Sequence, residues 1–414
     1  MTHAHDFLAI GDGAYQLEVP DLGIVLTVNR LRRRSDELIG ELTVTCDLPG
    51  AQRVSDEGVI VAADVNLSSV RARQDRAALL AKRAQTGDGF DWFATLEYFC
   101  QHVITAERVG QPATLLRDVP KPSPDTAWTI HRLPVLKDQP MVLFGDGGSG
   151  KSLLALSIAG ELAARGVPTL YADWETSAGD HRDRLEQLFG AARMPPVHYA
   201  RCEWPMAHEA DRLRRLVQAH DLQYVVLDSV AFGCDGPPEA AESAAAYFRA
   251  IRRLRVGALA VAHITKSESG DQRPFGSAFW HNGARATWFV KRSDADGDAG
   301  SMTLALFNRK ANTGPLLSPR GLRVSFSDGR IGITSTDLAD SEQFAPGLPL
   351  WQRMKRALAH GPLPLAALAE ELDAKPDSLK KIVDRSKSRP DPMFTRIVGD
   401  DGQTRISLVE RRSA

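Results

Sequence analysis

The sequence predicts an α/β fold: a mostly parallel sheet with helices on both faces, preceded by a β-rich module and followed by a small helical domain. Three observations carry this. Between about 126 and 335, apolar runs alternate with Ala/Leu/Arg-rich helical stretches, as in a parallel sheet buried on both sides. Residues 1–65 instead alternate apolar with polar between Gly, Pro and Asp turns, as antiparallel strands do. Past Pro346-Gly-Leu-Pro, three helical segments precede two short strands. With 414 residues there is chain for two or three domains, and the composition shifts set them at 1–118, 119–340 and 346–414.

In the first module, Tyr15–Val19, Ile24–Val28, Glu41–Thr45 and Val59–Ala62 read as strands. A helix follows to about residue 84, carrying Arg71, Arg73, Arg76, Lys82 and Arg83, and a second spans Trp92–Gly110. Those cations suit either DNA phosphates or a solvated face. Pro120, Pro122 and Pro124 read as a strap into the next domain. There the expected strands are Met141–Phe144, Thr169–Ala172, His198–Ala200, Tyr224–Leu227, Ala258–Ala262, Ala286–Val290 and Met302–Phe307, with a hairpin near Leu322–Thr336. In the tail, helices over Trp351–His360, Leu365–Leu372 and Asp377–Lys387 precede strands Phe394–Val398 and Thr404–Leu408, the order of a winged helix-turn-helix. This segment has 13 Lys and Arg against 9 Asp and Glu, so it is basic in a chain of net charge −1. Ser378, Lys380, Lys381, Arg385 and Lys387 fall on or near the helix that would enter a groove of duplex DNA; such modules also serve as protein contacts.

The chemistry centres on Met141–Ser152, where an apolar strand runs into Gly145-Asp-Gly-Gly-Ser-Gly-Lys-Ser and a periodic helix. This is a phosphate-binding loop. Gly145, Gly147, Gly148, Ser149 and Gly150 let backbone N–H groups turn around the α- and β-phosphates of ATP. Lys151 reaches the β/γ-phosphates, Ser152 binds Mg²⁺, and the helix N-terminus adds its dipole. Polar residues that follow a strand are then weighed, since ligands of such sheets sit beyond the strands' carboxyl ends. In Asp173-Trp-Glu175, Glu175 is placed to polarise the attacking water, with Asp173 as the spare; capping of the next helix is the competing role for Glu175. Asp228 ends an apolar strand as an Mg²⁺ carboxylate does. His263 ends another and is placed to sense the γ-phosphate. Arg285, Arg309 and Lys310 lie too far along the sheet for their own phosphates; they suit a neighbouring subunit's nucleotide, as an arginine finger, or surface ion pairs. The aperiodic stretch 268–279, with Lys266, Arg273 and Phe275, suits either a single-stranded-DNA loop or an ordered connection.

Cys46, Cys100, Cys202 and Cys234 lie far apart with no metal-ligand spacing, as in a reducing compartment. No apolar run approaches about 18 residues and no basic-then-apolar leader is present, so a cytoplasmic protein with no membrane partner is expected.

Residues 125–330 resemble the RecA-like ring ATPases, specifically the replicative helicases of broad-host-range plasmids and helicase-like ATPases of phages and actinobacteria. The likeness is carried by the phosphate loop, Asp-Trp-Glu at 173–175, Leu-Asp-Ser at 227–229 and His-Ile-Thr-Lys at 263–266, with Gly-Ser…Asn-Gly-Ala-Arg at 276–285 and Arg-Lys-Ala-Asn-Thr-Gly at 309–314. It implies a RecA-like P-loop core, Glu175 as catalytic glutamate, His263 as sensor, and Arg285 and Lys310 acting in trans. It also implies a homo-oligomeric ring, a hexamer by preference, moving on single-stranded DNA. The plasmid helicases lack both flanking modules, and nothing here resembles a primase. The function expected is an ATP-hydrolysing helicase or translocase. The alternative is an ATP-gated DNA-binding assembly protein without unwinding.

Overall fold

The structure, a computed structural model, describes residues 6–11, 13–87, 89–110, 113–121, 123–264, 278–293, 300–312, 314–338, 341, 343–344, 348–388, 390–399 and 401–409. The chain divides into two compact units, Met1–Pro122 and Ser123–Ala414.

In the first unit the described residues form an antiparallel sheet in sequence order: β1 (Asp6–Gly11), β2 (Ala14–Val19), β3 (Ile24–Arg34), β4 (Glu37–Cys46) and β5 (Val59–Asn66). Alternation buries Leu17, Leu26, Leu42 and Val44 on one face, where α1 (Val70–Ala84) and α2 (Trp92–Val109) add Leu80, Leu96 and Phe99. Both helices start at side-chain caps: Ser69 accepts from the Ala72 N–H and Asp91 from the Ala94 N–H. The cationic α1 is largely spent on the fold. Arg73 is 2 % exposed, donates to Glu97 at 2.7 Å and also bonds the Leu67 carbonyl, while Arg76 and Arg83 donate to the carbonyls of Asp64 and Ile60. Arg73 is therefore a packing residue and not a phosphate contact.

The second unit opens with a short hairpin, β6 (Ala127–Ile130) and β7 (Leu133–Leu136). Then come β8 (Pro140–Gly145), α3 (Lys151–Ala164), β9 (Thr169–Asp173), α4 (Ala178–Phe189), β10 (His198–Arg201), α5 (Met206–Ala219), β11 (Tyr224–Asp228), α6 (Val230–Gly233), α7 (Ala241–Leu254) and β12 (Gly257–His263). After α8 (Ala278–Gly283) follow β13 (Ala286–Ser293), β14 (Ser301–Ala311), β15 (Arg320–Ser327) and β16 (Arg330–Thr336). The described strands form a sheet ordered β10-β9-β11-β12-β8-β13-β14-β15-β16. From β10 to β13 neighbours are parallel; β14, β15 and β16 continue antiparallel. The parallel strands are apolar throughout because both faces are covered. Val142, Phe144, Val225 and Leu227 join Leu213, Tyr247 and Ile251 on one side. Met141, Leu143, Tyr224 and Val226 join Leu154, Ile158 and Leu162 on the other. This mixed sheet fits a RecA-like P-loop core.

Residues 348–409 belong to the same unit and enclose their own small core of Met354, Leu368, Leu379, Val383 and Phe394. The described elements are α9 (Leu350–Ala357), the two-residue strand β17 (Leu363–Pro364), α10 (Leu365–Glu371), α11 (Pro376–Lys387), β18 (Phe394–Val398) and β19 (Thr404–Leu408). The strands pair in the order β17-β19-β18. On α11, Leu379 and Val383 face the core, while Lys380, Lys381, Arg385 and Lys387 are exposed. No helix among the described residues is long and apolar enough to cross a membrane.

Candidate nucleotide site

β8 ends on glycine because nothing larger fits: a Cβ at Gly145 would lie 2.3 Å from the Val290 carbonyl oxygen of β13. The chain then turns over the sequence-predicted loop. Gly148 (φ +70°) and Gly150 (φ +79°) take the left-handed conformation that glycine adopts without strain. Gly150 is the N-cap of α3 with no side chain capping it, and open space lies beside Gly147 and Gly148. A helix N-terminus so presented is an anion site. Lys151 is 4 % exposed and its Nζ donates to the Asp146 carbonyl at 2.6 Å and to Ser149 Oγ at 3.4 Å. Burial lowers its pKa, against the pull of Asp228, Asp146 and Glu175. The ammonium is thus parked on its own loop, at the mouth of a cleft of about 480 Å³ lined by Gly148–Leu153, Glu175, Thr176 and His263.

Asp228 closes β11 and is 1 % exposed. Tyr171 donates to its Oδ2 at 2.6 Å, whereas its Oδ1 is buried without a hydrogen-bond partner. Burial raises the carboxyl pKa, opposed by hydrogen bonds from Tyr171 and Ser152. A buried carboxylate oxygen with a spare lone pair, next to a serine hydroxyl at a phosphate loop, fits a hard divalent cation such as Mg²⁺. His263 ends β12 in register with Gly145 of β8. Burial and then the Lys151 charge depress its pKa, with Asp228 opposing, so the imidazole at this cleft is neutral near pH 7.

Glu175 is exposed in the same cleft. Its neighbour Asp173, the spare carboxylate of the sequence reading, is instead the hub that fixes the loop after β9. Asp173 is 0 % exposed and accepts from the Glu175 N–H (3.1 Å), the Thr176 N–H (3.0 Å), the Tyr199 hydroxyl (3.1 Å) and Arg201 Nη1 (3.3 Å). His181 Nε2 lies 3.5 Å away. Burial alone would raise its pKa; the bonds from His181, the Glu175 N–H and Tyr199 outweigh that and hold it below the usual carboxylate range. Ser177, not Glu175, caps α4, in a reciprocal box with Asp180.

The remaining candidates lie elsewhere. The backbone N–H of Arg285 bonds the Pro140 carbonyl and its Nε donates to Gln139 Oε1 at 3.3 Å, at the amino end of β8. Pro140 to Gly145 spans the six residues of β8, about 17 Å. Lys310, paired with Thr287, donates to the carbonyls of His281 (2.8 Å) and Asn282 (3.0 Å), and burial and then the Arg285 charge lower its pKa. Arg309 is exposed and its guanidinium lies over the rings of Phe289 and Phe307 at 5.7 and 5.4 Å. The structure therefore joins Gly148–Ser152, Glu175 and His263 in one cleft with Asp228 buried beside Ser152, and sets Arg285 and Lys310 together at the opposite strand ends. Lys266, Arg273 and Phe275 lie outside the described residues.

Sequence reasoning missed Arg292, whose Nη1 donates to the Gly148 carbonyl at 3.3 Å. The signal was present: β13 pairs Val290 with Gly145, so Lys291 and Arg292 emerge beside the loop at a carboxyl strand end. Also missed were Phe326 and Ile331 of the β15–β16 hairpin, which line the cleft with Arg184 and Gln187.

Residues 105–269 match the family model described as an AAA domain. The second unit carries an AAA-type P-loop ATPase domain. A comparison with curated proteins gives no match. Among solved structures, the chain is similar to a KaiC-like protein from the hyperthermophilic archaeon Pyrococcus horikoshii OT3, at 15 % identity and a TM-score of 0.39 over 49 % of this chain and 91 % of that one.

Proposed function

We propose that the chain is an ATP-hydrolysing DNA helicase or translocase whose sites are completed at subunit interfaces of a homo-oligomeric ring, a hexamer by preference. The observation that carries this is the separation just described. Mg²⁺ would sit at Ser152 and Asp228, Lys151 would turn from the Asp146 carbonyl to the β/γ-phosphates, and Glu175 would orient the attacking water. Among the described residues Lys151, Arg184 and Arg292 lie at this cleft, while Arg285 and Lys310 bond backbone and side-chain groups at the opposite strand ends. A neighbour's cleft is where they would serve, with Arg285 as the finger and Lys310 as a second basic residue in trans. His263, neutral and beside Lys151, would report the γ-phosphate toward the stretch 268–279, which suits a single-stranded-DNA loop or an ordered connection.

Residues 348–409 favour the second reading, an ATP-gated DNA-binding assembly protein. Their helix order and three-stranded sheet suit a winged helix-turn-helix, whose duplex-DNA contact would be made by the exposed cations of α11. One experiment separates the two. Steady-state ATP hydrolysis is measured with and without single-stranded DNA on wild type, Glu175→Gln, Arg285→Ala and mixtures of the variants. Stimulation by DNA, with activity in the mixture that neither variant has alone, supports the ring; random assembly at equal ratio restores about one interface in four. Flat kinetics and no recovery overturn it.

A further inference from the structure

Outside the nucleotide cleft, the edge of the large sheet and the C-terminal segment enclose a second cleft of about 370 Å³. Arg132 enters it from the β6–β7 turn, Ser318 and Arg320 from the start of β15, Thr336 from the end of β16, and Trp351 and Lys355 from α9. Its charges do not balance. Three cations line it against one carboxylate, Asp337, and that carboxylate already accepts from Lys355. Among the described residues no carboxylate pairs with Arg132 or Arg320. The Nε of Arg320 is buried with no hydrogen-bond partner, and burial and then the Arg132 charge depress that guanidinium's pKa. A guanidinium keeps its proton regardless, so the pair stands as two fixed like charges with unused donors. That arrangement is costly until an anion bridges it, and planar forks of N–H groups suit phosphate oxygens best.

We propose that this cleft is a phosphate site, in which Arg132 and Arg320 hold one phosphate group and the Ser318 and Thr336 hydroxyls border it. The phosphate could be a nucleic-acid backbone phosphodiester or a free phosphate ion, and the test distinguishes them. The full-length chain is used in a Lys151→Ala background, so that failure of the nucleotide-site reading leaves this result untouched. Equilibrium dialysis follows inorganic phosphate; fluorescence anisotropy follows a labelled single-stranded oligonucleotide. Arg132→Gln, at an exposed turn residue, and the double variant with Arg320→Gln are compared with their parent. At least about tenfold weaker binding of either probe supports the site. Loss for both, with phosphate competing against the oligonucleotide, assigns a backbone phosphodiester; loss for phosphate alone assigns the free ion. Unchanged binding of both probes by folded Arg132→Gln overturns the proposal.

Discussion

Asp173 gives the sharpest perturbation, because its two oxygens serve donors from three different places: the Glu175 and Thr176 backbone, Tyr199 and Arg201 of β10, and His181 of α4. Asp173→Asn preserves shape but replaces one acceptor oxygen with a donor. The less damaging orientation turns the new NH₂ toward the Glu175 N–H, which accepts nothing. One backbone N–H then loses its partner, at about 1–3 kcal/mol. The negative charge opposite Arg201 and His181 is lost as well, and breaking a buried pair costs about 3–5 kcal/mol. Arg201 is half exposed and recovers water, so about 3 kcal/mol is expected for the whole change. Tyr199→Phe removes a single donor and serves as the control, at about 1 kcal/mol. Urea unfolding measures both. The folded pKa of Asp173 is depressed, so its stabilisation is complete above the unfolded value of about 4 and fades as pH falls through the folded value. The gap between wild type and Asp173→Asn therefore narrows in acid. ATP hydrolysis should fall further than nucleotide affinity, since the loop carrying Glu175 is loosened and the phosphate loop is not. A variant within about 0.5 kcal/mol of wild type at pH 7 would refute the hub.

Two further outcomes follow from packing. Gly145→Ala forces β8 and β13 apart, since the added carbon meets a backbone oxygen at 2.3 Å; a loss of about 1–3 kcal/mol or more is expected by thermal melting, with weakened nucleotide binding. Gly147→Ala, where nothing lies within 4 Å, should melt with wild type. The thiols of Cys100, Cys202 and Cys234 are buried and burial pushes each up to about 12, so the native protein should resist iodoacetamide at pH 8 while the urea-unfolded chain is alkylated. Rapid alkylation of the folded chain would contradict that burial.

The sheet was legible because its strands are apolar enough to be seen one at a time. Each run drawn from the sequence lies within an observed strand, and the observed ends extend by a few residues. What escaped was polar or exposed. In β1, Leu8 and Ile10 are 50 % and 49 % exposed, so no alternation marks the strand. The far ends of β3 and β4 are arginine- and acid-rich and pair only with each other and β5. The phosphate loop was legible because its glycines act locally. The part played by Asp173 was not, since its partners arrive from α4, β10 and the following turn, and only the folded sheet assembles them. Arg73 misled for the same reason: on a basic helix it reads as surface, and Glu97 of the next helix makes it interior.

The strand that carries Arg285 at its start carries Arg292 near its end. β13 is paired with β8 on one side and β14 on the other, and Trp288 and Val290 are buried in the core. From Arg285 to Arg292 is about 23 Å of extended chain. Its pairing with β8 runs from Ala286 to Val290, and its pairing with β14 runs on to Ser293, with a register irregularity between Thr287 and Trp288. One strand thus puts a guanidinium against the Gly148 carbonyl of the phosphate loop and, at its other end, a second guanidinium against Gln139 at the amino end of β8.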